Sequence, residues 1–131
     1  LLPPQDQAFD YRGFVDDQVK VAVCGGALAL CQPSVNESFS LAVMESWLSE
    51  RPVLVNSQCD VTRGHVLRSK GGLHFRDCDD FTEAVGWLLR HRSIAQRMGK
   101  NGRLYVERNY AWPVVFERFE KALRDWGYYN E

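Results

Sequence analysis

The sequence predicts an α/β fold in which a doubly wound, parallel sheet of about four strands is followed by a group of helices. Short apolar runs alternate with longer amphipathic runs up to Phe75, and only amphipathic runs follow it. Strands that alternate with helices imply crossover connections, which give parallel strands covered on both faces. The 131 residues are 45% hydrophobic and can bury one core, so we expect a single domain over residues 1–131.

The alternation begins close to the first residues of the chain. Residues 9–14, FDYRGF, predict a strand, and residues 16–27 predict a short helix. Residues 28–34, LALCQPS, predict a second strand, which Pro33 ends because proline lacks the backbone donor that a sheet needs. A loop must therefore follow Pro33.

The same pattern continues through the middle of the chain. Residues 38–49 have the length and apolar content of a helix, and residues 52–56, PVLVN, are a β-branched run typical of a buried strand. Residues 61–69 predict a short helix, and residues 71–75, GGLHF, predict a strand that two glycines open. These elements complete the predicted sheet.

Three helices are predicted after the sheet. Residues 79–92 begin with acidic side chains and end with basic ones, as suits the helix dipole. Residues 93–108 predict a second helix, which we expect Gly99 and Gly102 to bend or break. The third, at about 112–131, has a proline in its first turn and an apolar stripe that needs a partner.

Composition excludes several classes of function. The 16 basic and 17 acidic residues nearly cancel, which argues against a nucleic-acid binder. The basic face of the helix at 93–108 would suit anionic lipid, but a solvated face is the favoured interpretation. No apolar stretch reaches the roughly 20 residues of a membrane span. The four cysteines form no CxxC pair, so we expect reduced thiols and a cytoplasmic chain.

Residues 33–47, PSVNESFSLAVMESW, contain two glutamates in an otherwise apolar setting. Glu37 follows a strand, at the sheet edge where doubly wound folds bind ligands. Glu45 lies between Leu41 and Ser49 on the helical wheel of a helix that we expect to be mostly buried, so its charge needs a partner. Both positions suit a role in binding, although spacing alone favours a structural one.

The residues between the two glutamates supply a second indication. Ser38, Phe39, Ser40 and Leu41 are predicted to start a helix, whose free N–H groups form an anion site. The combination suggests a ligand with a phosphate and several hydroxyls. Spacing alone also allows a structural interpretation, in which Glu37 is solvated and Glu45 pairs with an arginine.

Two further side chains on the helix at 61–69 are candidates for contacts with such a ligand. Arg63 could complement phosphate charge, and His65 could touch the phosphate or sugar of the ligand. A surface arginine and a structural histidine are the alternative interpretations of the two residues.

The stretch PSVNESFSLAVMESWLSERPVLV resembles the signature P-S-x-x-E-x-F-G-x-x-x-x-E-A, followed by G-x-P-V, of the family 4 (group 1) glycosyltransferases, which have the GT-B fold. Seven residues separate Glu37 from Glu45, as in the pair that this family calls EX7E. Residues 9–18, 71–89 and 97–123 carry the likeness through most of the chain. The resemblance implies retaining transfer of a sugar from a nucleotide-diphosphate donor, by a hexosyltransferase type of enzyme.

The resemblance also implies roles for individual residues. The first glutamate of the pair, here Glu37, contacts hydroxyls of the donor sugar and is the candidate catalytic residue. The second, here Glu45, holds the ribose hydroxyls, and backbone amides around Phe39 to Leu41 receive the diphosphate. Such binding positions the donor and stabilises the departing diphosphate, and the family needs no metal or other cofactor for it.

Family members bind their donor in the second of two Rossmann-like domains, and the resemblance places this chain in the C-terminal part of that domain. The acceptor domain and a basic Arg/Lys pair for the diphosphate precede the matching region in the family, and we expect the chain to lack both. Residues 112–131 would form the helix that crosses back to the first domain. We therefore expect the chain to be inactive alone, with an exposed interface available for self-association.

Two departures from the signature are Ser40 and Glu50, which stand where the family has glycine. Residues 56–72 match the family poorly and are expected to determine the choice of donor sugar. A nucleotide-sugar 2-epimerase of GT-B fold and a non-catalytic binding module are the alternative functions. The residues that follow Glu37 disfavour the epimerase.

Overall fold

The computed structural model describes residues 9–128, and all structural statements concern this part of the chain. It contains six helices and three strands, which alternate up to α4 and are followed by α5 and α6. Their bounds are α1 Asp17–Gly26, β1 Leu30–Gln32, α2 Leu41–Leu48, β2 Val53–Asn56, α3 Asp60–Ser69, β3 Gly72–Phe75, α4 Cys78–Arg90, α5 Arg92–Tyr110 and α6 Trp112–Asp125. The predicted α/β fold is confirmed, and the elements predicted between residues 16 and 125 form within a few residues of their expected limits.

The three strands form a parallel sheet in the order β1-β2-β3. Leu30 lies opposite Val53, and Val53 opposite Gly72, so β2 is the central strand of the three. Successive side chains of a strand point to opposite faces. Val53 and Val55 accordingly join a core with α2, α3 and α5, whereas Leu54 packs with Phe75, from β3, in a second core on the other face.

The predicted strand at residues 9–14 is wrong. This segment is coil in the structure, and its aromatic side chains are exposed: Phe9 by 54%, Tyr11 by 61% and Phe14 by 102%. A strand exists only through backbone hydrogen bonds to a neighbour, and the described residues provide no strand that pairs with this segment. Three strands are therefore observed where about four were predicted.

The expected break at Gly99 and Gly102 is also wrong, since α5 continues through both. A Cβ atom at Gly102 would lie 2.0 Å from Trp47 of α2, and one at Gly99 would lie 1.9 Å from the Glu50 carbonyl oxygen. Trp47 is fully buried and donates a hydrogen bond from Nε1 to the Gly71 carbonyl, at 2.8 Å. The two glycines thus let α5 approach α2 closely, a tertiary role that outweighs their weak helix propensity.

The last helix, α6, buries little of its apolar stripe. Trp112 is 72% exposed, Phe116 56% and Phe119 59%. A proline in its first turn lacks an N–H that would have no helical partner in any case. Residues 129–131 of the predicted helix lie outside the described residues. None of the described helices combines the length and the apolar character that crossing a bilayer requires.

Candidate functional site

The loops that leave the carboxyl ends of β1 and β2 meet and form a cavity of about 460 Å³. Asn56, at the end of β2, donates from its side-chain amide to the Pro33 carbonyl at 3.1 Å, which joins the two loops. The lining residues are Val35, Asn36, Glu37, Ser38, Gln58, Cys59, Asp60 and Val61. Glu37 and Ser38 thus lie at the sheet edge where the sequence predicted a ligand site.

Glu37 is oriented by Gln32, a residue that sequence reasoning missed. Gln32 ends β1 and donates from Nε2 to Glu37 Oε1 at 3.0 Å and to the Ser40 hydroxyl at 3.2 Å. One amide therefore holds the middle and the last residue of the loop that connects β1 to α2. The available signal was a polar residue at the last position of a predicted strand, directly before the proline.

Phe39 points away from the cavity and anchors the loop in an aromatic cluster. Its ring meets Tyr110 at a centroid distance of 4.9 Å and His65 at 5.5 Å, both edge to face. Such pairs add about 0.5–1.5 kcal/mol beyond the burial of their area. The backbone on both sides of Phe39 is consequently fixed by packing against α3 and α5.

His65 belongs to this aromatic cluster and does not line the cavity of Glu37. It is 4% exposed, and its Nδ1 lies 2.9 Å from the Tyr105 hydroxyl. Burial, followed by the charge of Arg68, lowers the pKa of His65. Burial and a hydrogen bond with Tyr105 raise the pKa of Tyr110 to about 12. A neutral, buried histidine is placed to support Phe39 and has no direct path to a ligand in this cavity.

Helix α2 begins at Leu41, later than predicted, because Ser40 adopts a left-handed conformation with φ 66° and ψ 81°. Its side chain makes no capping hydrogen bond. The free backbone donors are therefore the N–H groups of the first helical turn, from Leu41 to Val43, whereas the sequence predicted them at residues 38–41. The glycine that the family has at this position suits such a φ, which explains why glycine is usual there.

Glu45 lies on the opposite side of α2 from the core, and the expectation of a mostly buried helix is only half met. Leu41 is 71% and Leu48 48% exposed, and the Glu45 side chain is 44% exposed. Its Oε1 accepts a hydrogen bond from Lys20 Nζ, on α1, at 2.9 Å. That bond, together with one to Asp17, raises the pKa of Lys20. The partner that the carboxylate needs is a lysine.

A second cavity, of about 320 Å³, surrounds this ion pair. Its lining residues are Asp17, Lys20, Val21, Cys24, Glu45, Leu48 and Ser49. It shares no described residue with the cavity of Glu37. The structure therefore places the two glutamates in separate cavities, one before the start of α2 and one along its side.

Arg63 and Cys59 complete the region at the start of α3. Arg63 donates to the Ser57 carbonyl at 3.0 Å and to Asp60 Oδ1 at 2.7 Å, so its guanidinium is already engaged. Cys59 is 2% exposed. Burial raises its pKa, but hydrogen bonds from Thr62, Val61 and Glu37 outweigh burial and lower it overall. The Thr62 hydroxyl and the backbone N–H groups of Thr62, Val61 and Glu37 thus favour negative charge on the Cys59 sulfur.

The chemistry of the two cavities is that of hydrogen bonding and charge. In residues 9–128 no three His, Cys, Asp or Glu side chains are grouped as a metal ion would require. The carboxylates of Glu37 and Glu45 can accept bonds from hydroxyls, and the start of α2 can donate to an anion.

Comparisons with known proteins show what the chain is similar to. No family model matches the chain. The chain is 30% identical over 94 residues to trehalose synthases from Thermococcus litoralis and Pyrococcus furiosus, and each match covers 72% of the chain but 23% of the relative. A trehalose synthase from Pyrococcus horikoshii is 26% identical over 98 residues. The chain thus spans about a quarter of the length of these relatives.

The fold is similar to that of a sucrose-phosphate synthase from Thermosynechococcus elongatus, with a TM-score of 0.74 and 23% identity. That likeness covers 86% of this chain and 29% of the other. The relatives and the shared fold agree with the resemblance of the chain to glycosyltransferases. The chain is therefore similar in sequence to part of these synthases and shares the fold of the sucrose-phosphate synthase, which is consistent with a fragment of the C-terminal domain of a group 1 glycosyltransferase.

Proposed function

We propose that the chain binds the nucleotide-sugar donor of a retaining, family 4 hexosyltransferase. The observation that carries the proposal is the position of Glu37, held by Gln32 at the carboxyl edge of the sheet, beside the uncapped first turn of α2. In this proposal Glu37 contacts hydroxyls of the donor sugar and the amides of α2 receive the diphosphate. Their contribution to catalysis is to position the donor and to stabilise the leaving diphosphate, without a metal.

Glu45 is proposed to hold the ribose of the donor. One of its oxygens accepts the Lys20 bond, which leaves the other oxygen for a ribose hydroxyl. Lys20 lies in the same cavity and also offers a positive charge near a bound diphosphate. The separation of the two cavities along α2 suits a donor whose sugar and nucleoside lie at opposite ends of a diphosphate.

Transfer itself is assigned to a longer enzyme with an acceptor domain, and we propose that the exposed stripe of α6 packs against such a domain or a second copy of the chain. Trehalose and sucrose, which appear in the names of the matched proteins, are both disaccharides. A sugar is therefore the first class of acceptor to examine in the full-length enzyme. The chain by itself is expected to bind the donor and transfer nothing.

Calorimetry with UDP, ADP and GDP and their sugar derivatives tests the proposal. We expect one nucleotide series to bind. Glu45→Ala should weaken the affinity for the free nucleotide about tenfold or more, since a hydrogen bond to a charged group contributes about 1.5–3 kcal/mol. Glu120→Ala is the matched control, because Glu120 is an exposed carboxylate on α6 that pairs with Arg124. Absence of binding at millimolar ligand, or an unchanged affinity in the Glu45 variant, would contradict the proposal.

A further inference from the structure

A groove between α3 and α5 carries positive charge that no carboxylate in its lining balances. It forms a cavity of about 220 Å³, and its polar lining residues are Arg68, Ser69, Asn101, Tyr105, Arg108 and Asn109. Among the described residues that line the groove there is no aspartate or glutamate. None of them lines the cavity of Glu37 or that of Glu45. The groove is therefore a separate site with a net positive charge.

The two arginines of the groove form no ion pair with any described residue. Arg103, on the same helix as Arg108, is by contrast paired with the carboxylates of Glu50 and Glu107. Arg68 and Arg108 each lie in the last turn of a helix, where the helix dipole favours a cation. The dipoles explain how two positive charges can share one groove, and they leave the charge available to an anion.

Arg68 is oriented by a tyrosine and keeps donors for a ligand. Its Nε donates to the Tyr105 hydroxyl at 3.2 Å, and its Nη2 lies 3.2 Å from His65 Nδ1. His65 Nδ1 also holds the Tyr105 hydroxyl, at 2.9 Å. A guanidinium has five N–H donors, so those of Nη1 stay unused within the described part of the chain. A side chain that is oriented before binding loses less conformational entropy when a ligand arrives.

Arg108 and two asparagines supply further donors. Arg108 is exposed and lines the groove with its guanidinium. The amide nitrogens of Asn101 and Asn109 donate to the carbonyls of Lys70 and Tyr105, at 3.4 and 2.8 Å, and each nitrogen carries a second hydrogen. Planar guanidinium groups bind phosphate oxygens through paired, charge-assisted hydrogen bonds. The groups that line the groove are thus those that recognise an oxyanion.

We propose that the groove between α3 and α5 binds a single phosphate group, free or as a monoester, between Arg68 and Arg108. Its volume of about 220 Å³ is smaller than the roughly 300–1,000 Å³ usual for sites that enclose a drug-sized ligand. That size suits one phosphate group and excludes a nucleotide sugar. The proposal does not rest on the proposed function, because the groove shares no described lining residue with the two cavities of the glutamates.

Amide NMR of the chain, during titration with inorganic phosphate or with glycerol phosphate at constant ionic strength, tests the proposal. The side-chain amides of Asn101 and Asn109 should shift and saturate. Arg108→Gln should weaken this binding about tenfold or more, since it removes charge-assisted hydrogen bonds. Arg68→Lys keeps the charge but removes the planar fork, so it should weaken binding several-fold. Backbone amides of residues 41–43 report separately on anion binding at the start of α2.

Arg97→Gln is the matched control, because it removes the same charge from an exposed position of α5 that does not line the groove. Its affinity should equal that of the wild type. Equal weakening by the Arg97 and Arg108 variants would overturn the proposal, since the effect would then be one of overall charge. Unchanged asparagine signals, or shifts confined to residues 41–43, would overturn it and leave the proposed function intact. Saturable binding of inorganic phosphate alone supports a site for the free ion, and binding of both probes supports a site that also admits a phosphate monoester.

Discussion

The consecutive helices α5 and α6 use their surfaces in opposite ways. Helix α5 brings two glycines against α2 and buries Ala95 and Val106 in the two cores. Helix α6 has no buried residue and exposes its aromatic stripe. Apolar content is therefore a poor guide to which helix is packed into the core. Small residues allow α5 to approach its neighbour closely, whereas the large apolar residues of α6 remain available to contact another surface.

The largest expected effect comes from Gly102→Ala. Alanine raises helix propensity by about 1 kcal/mol, but its Cβ would lie 2.0 Å from Trp47. Overpacking of a core costs about 1–3 kcal/mol, and the upper end applies to so close an overlap with a buried ring. We expect a net loss of stability in urea unfolding. Phe119→Ala, on α6, is the comparison variant and should change stability by about 0.5 kcal/mol or less, as exposed substitutions do. Equal effects of the two variants would refute the contrast between the helices.

A smaller effect, of opposite sign, is expected from Glu50→Gly at the end of α2. Glu50 has a φ of 55°, a left-handed conformation that costs a residue with a Cβ about 1–2 kcal/mol. The exposed ion pair of Glu50 with Arg103, at 3.4 Å, offsets little of this conformational cost. Glycine should therefore raise the unfolding free energy by about 1 kcal/mol. Ser49→Gly is the control. Ser49 has an ordinary φ of −84°, so this variant should not raise the unfolding free energy.

A third prediction concerns pH and the contact of α3 with α5. The pKa of His65 is lowered in the folded protein. As pH falls, His65 is therefore protonated in the unfolded chain at a higher pH than in the folded one. Stability from the neutral ring is complete above the ordinary histidine pKa of about 6.5 and declines as pH drops below it. Urea unfolding at about pH 7.5 and about pH 5 measures this loss. His65→Gln should reduce it, whereas His74→Gln, at an exposed position, should leave it unchanged.

Most of the fold could be predicted because the signals were local. The periodicity of residues 28–34, 52–56 and 71–75 corresponds to β1, β2 and β3, and the predicted helices all form over part of their range. The failures concern long-range contacts. Residues 9–14 have the composition of a strand but no pairing partner among the described residues, and Gly99 and Gly102 look like helix breakers until Trp47 is brought against them.

In the candidate site, too, local features could be predicted from the sequence and long-range contacts could not. Spacing and the loop after a strand drew attention to Glu37 and Glu45, and the family resemblance selected them; their roles remain proposals. Gln32 as the residue that orients Glu37, and Lys20 as the partner of Glu45, could not be selected, because each contact depends on how separate segments meet. His65 appeared as a candidate contact and lies in the aromatic cluster instead, since burial is not visible in a short helix.

By itself the sequence determined the order of strands and helices, the family resemblance and the positions of the two glutamates, since backbone preference and apolar period act over a few residues. Tertiary structure alone decided which side chains share a cavity, where charge accumulates and which glycines face a tryptophan. These properties depend on distances between residues far apart in the chain. Glu37 and Asp60, for example, line one cavity only because two loops far apart in the chain meet.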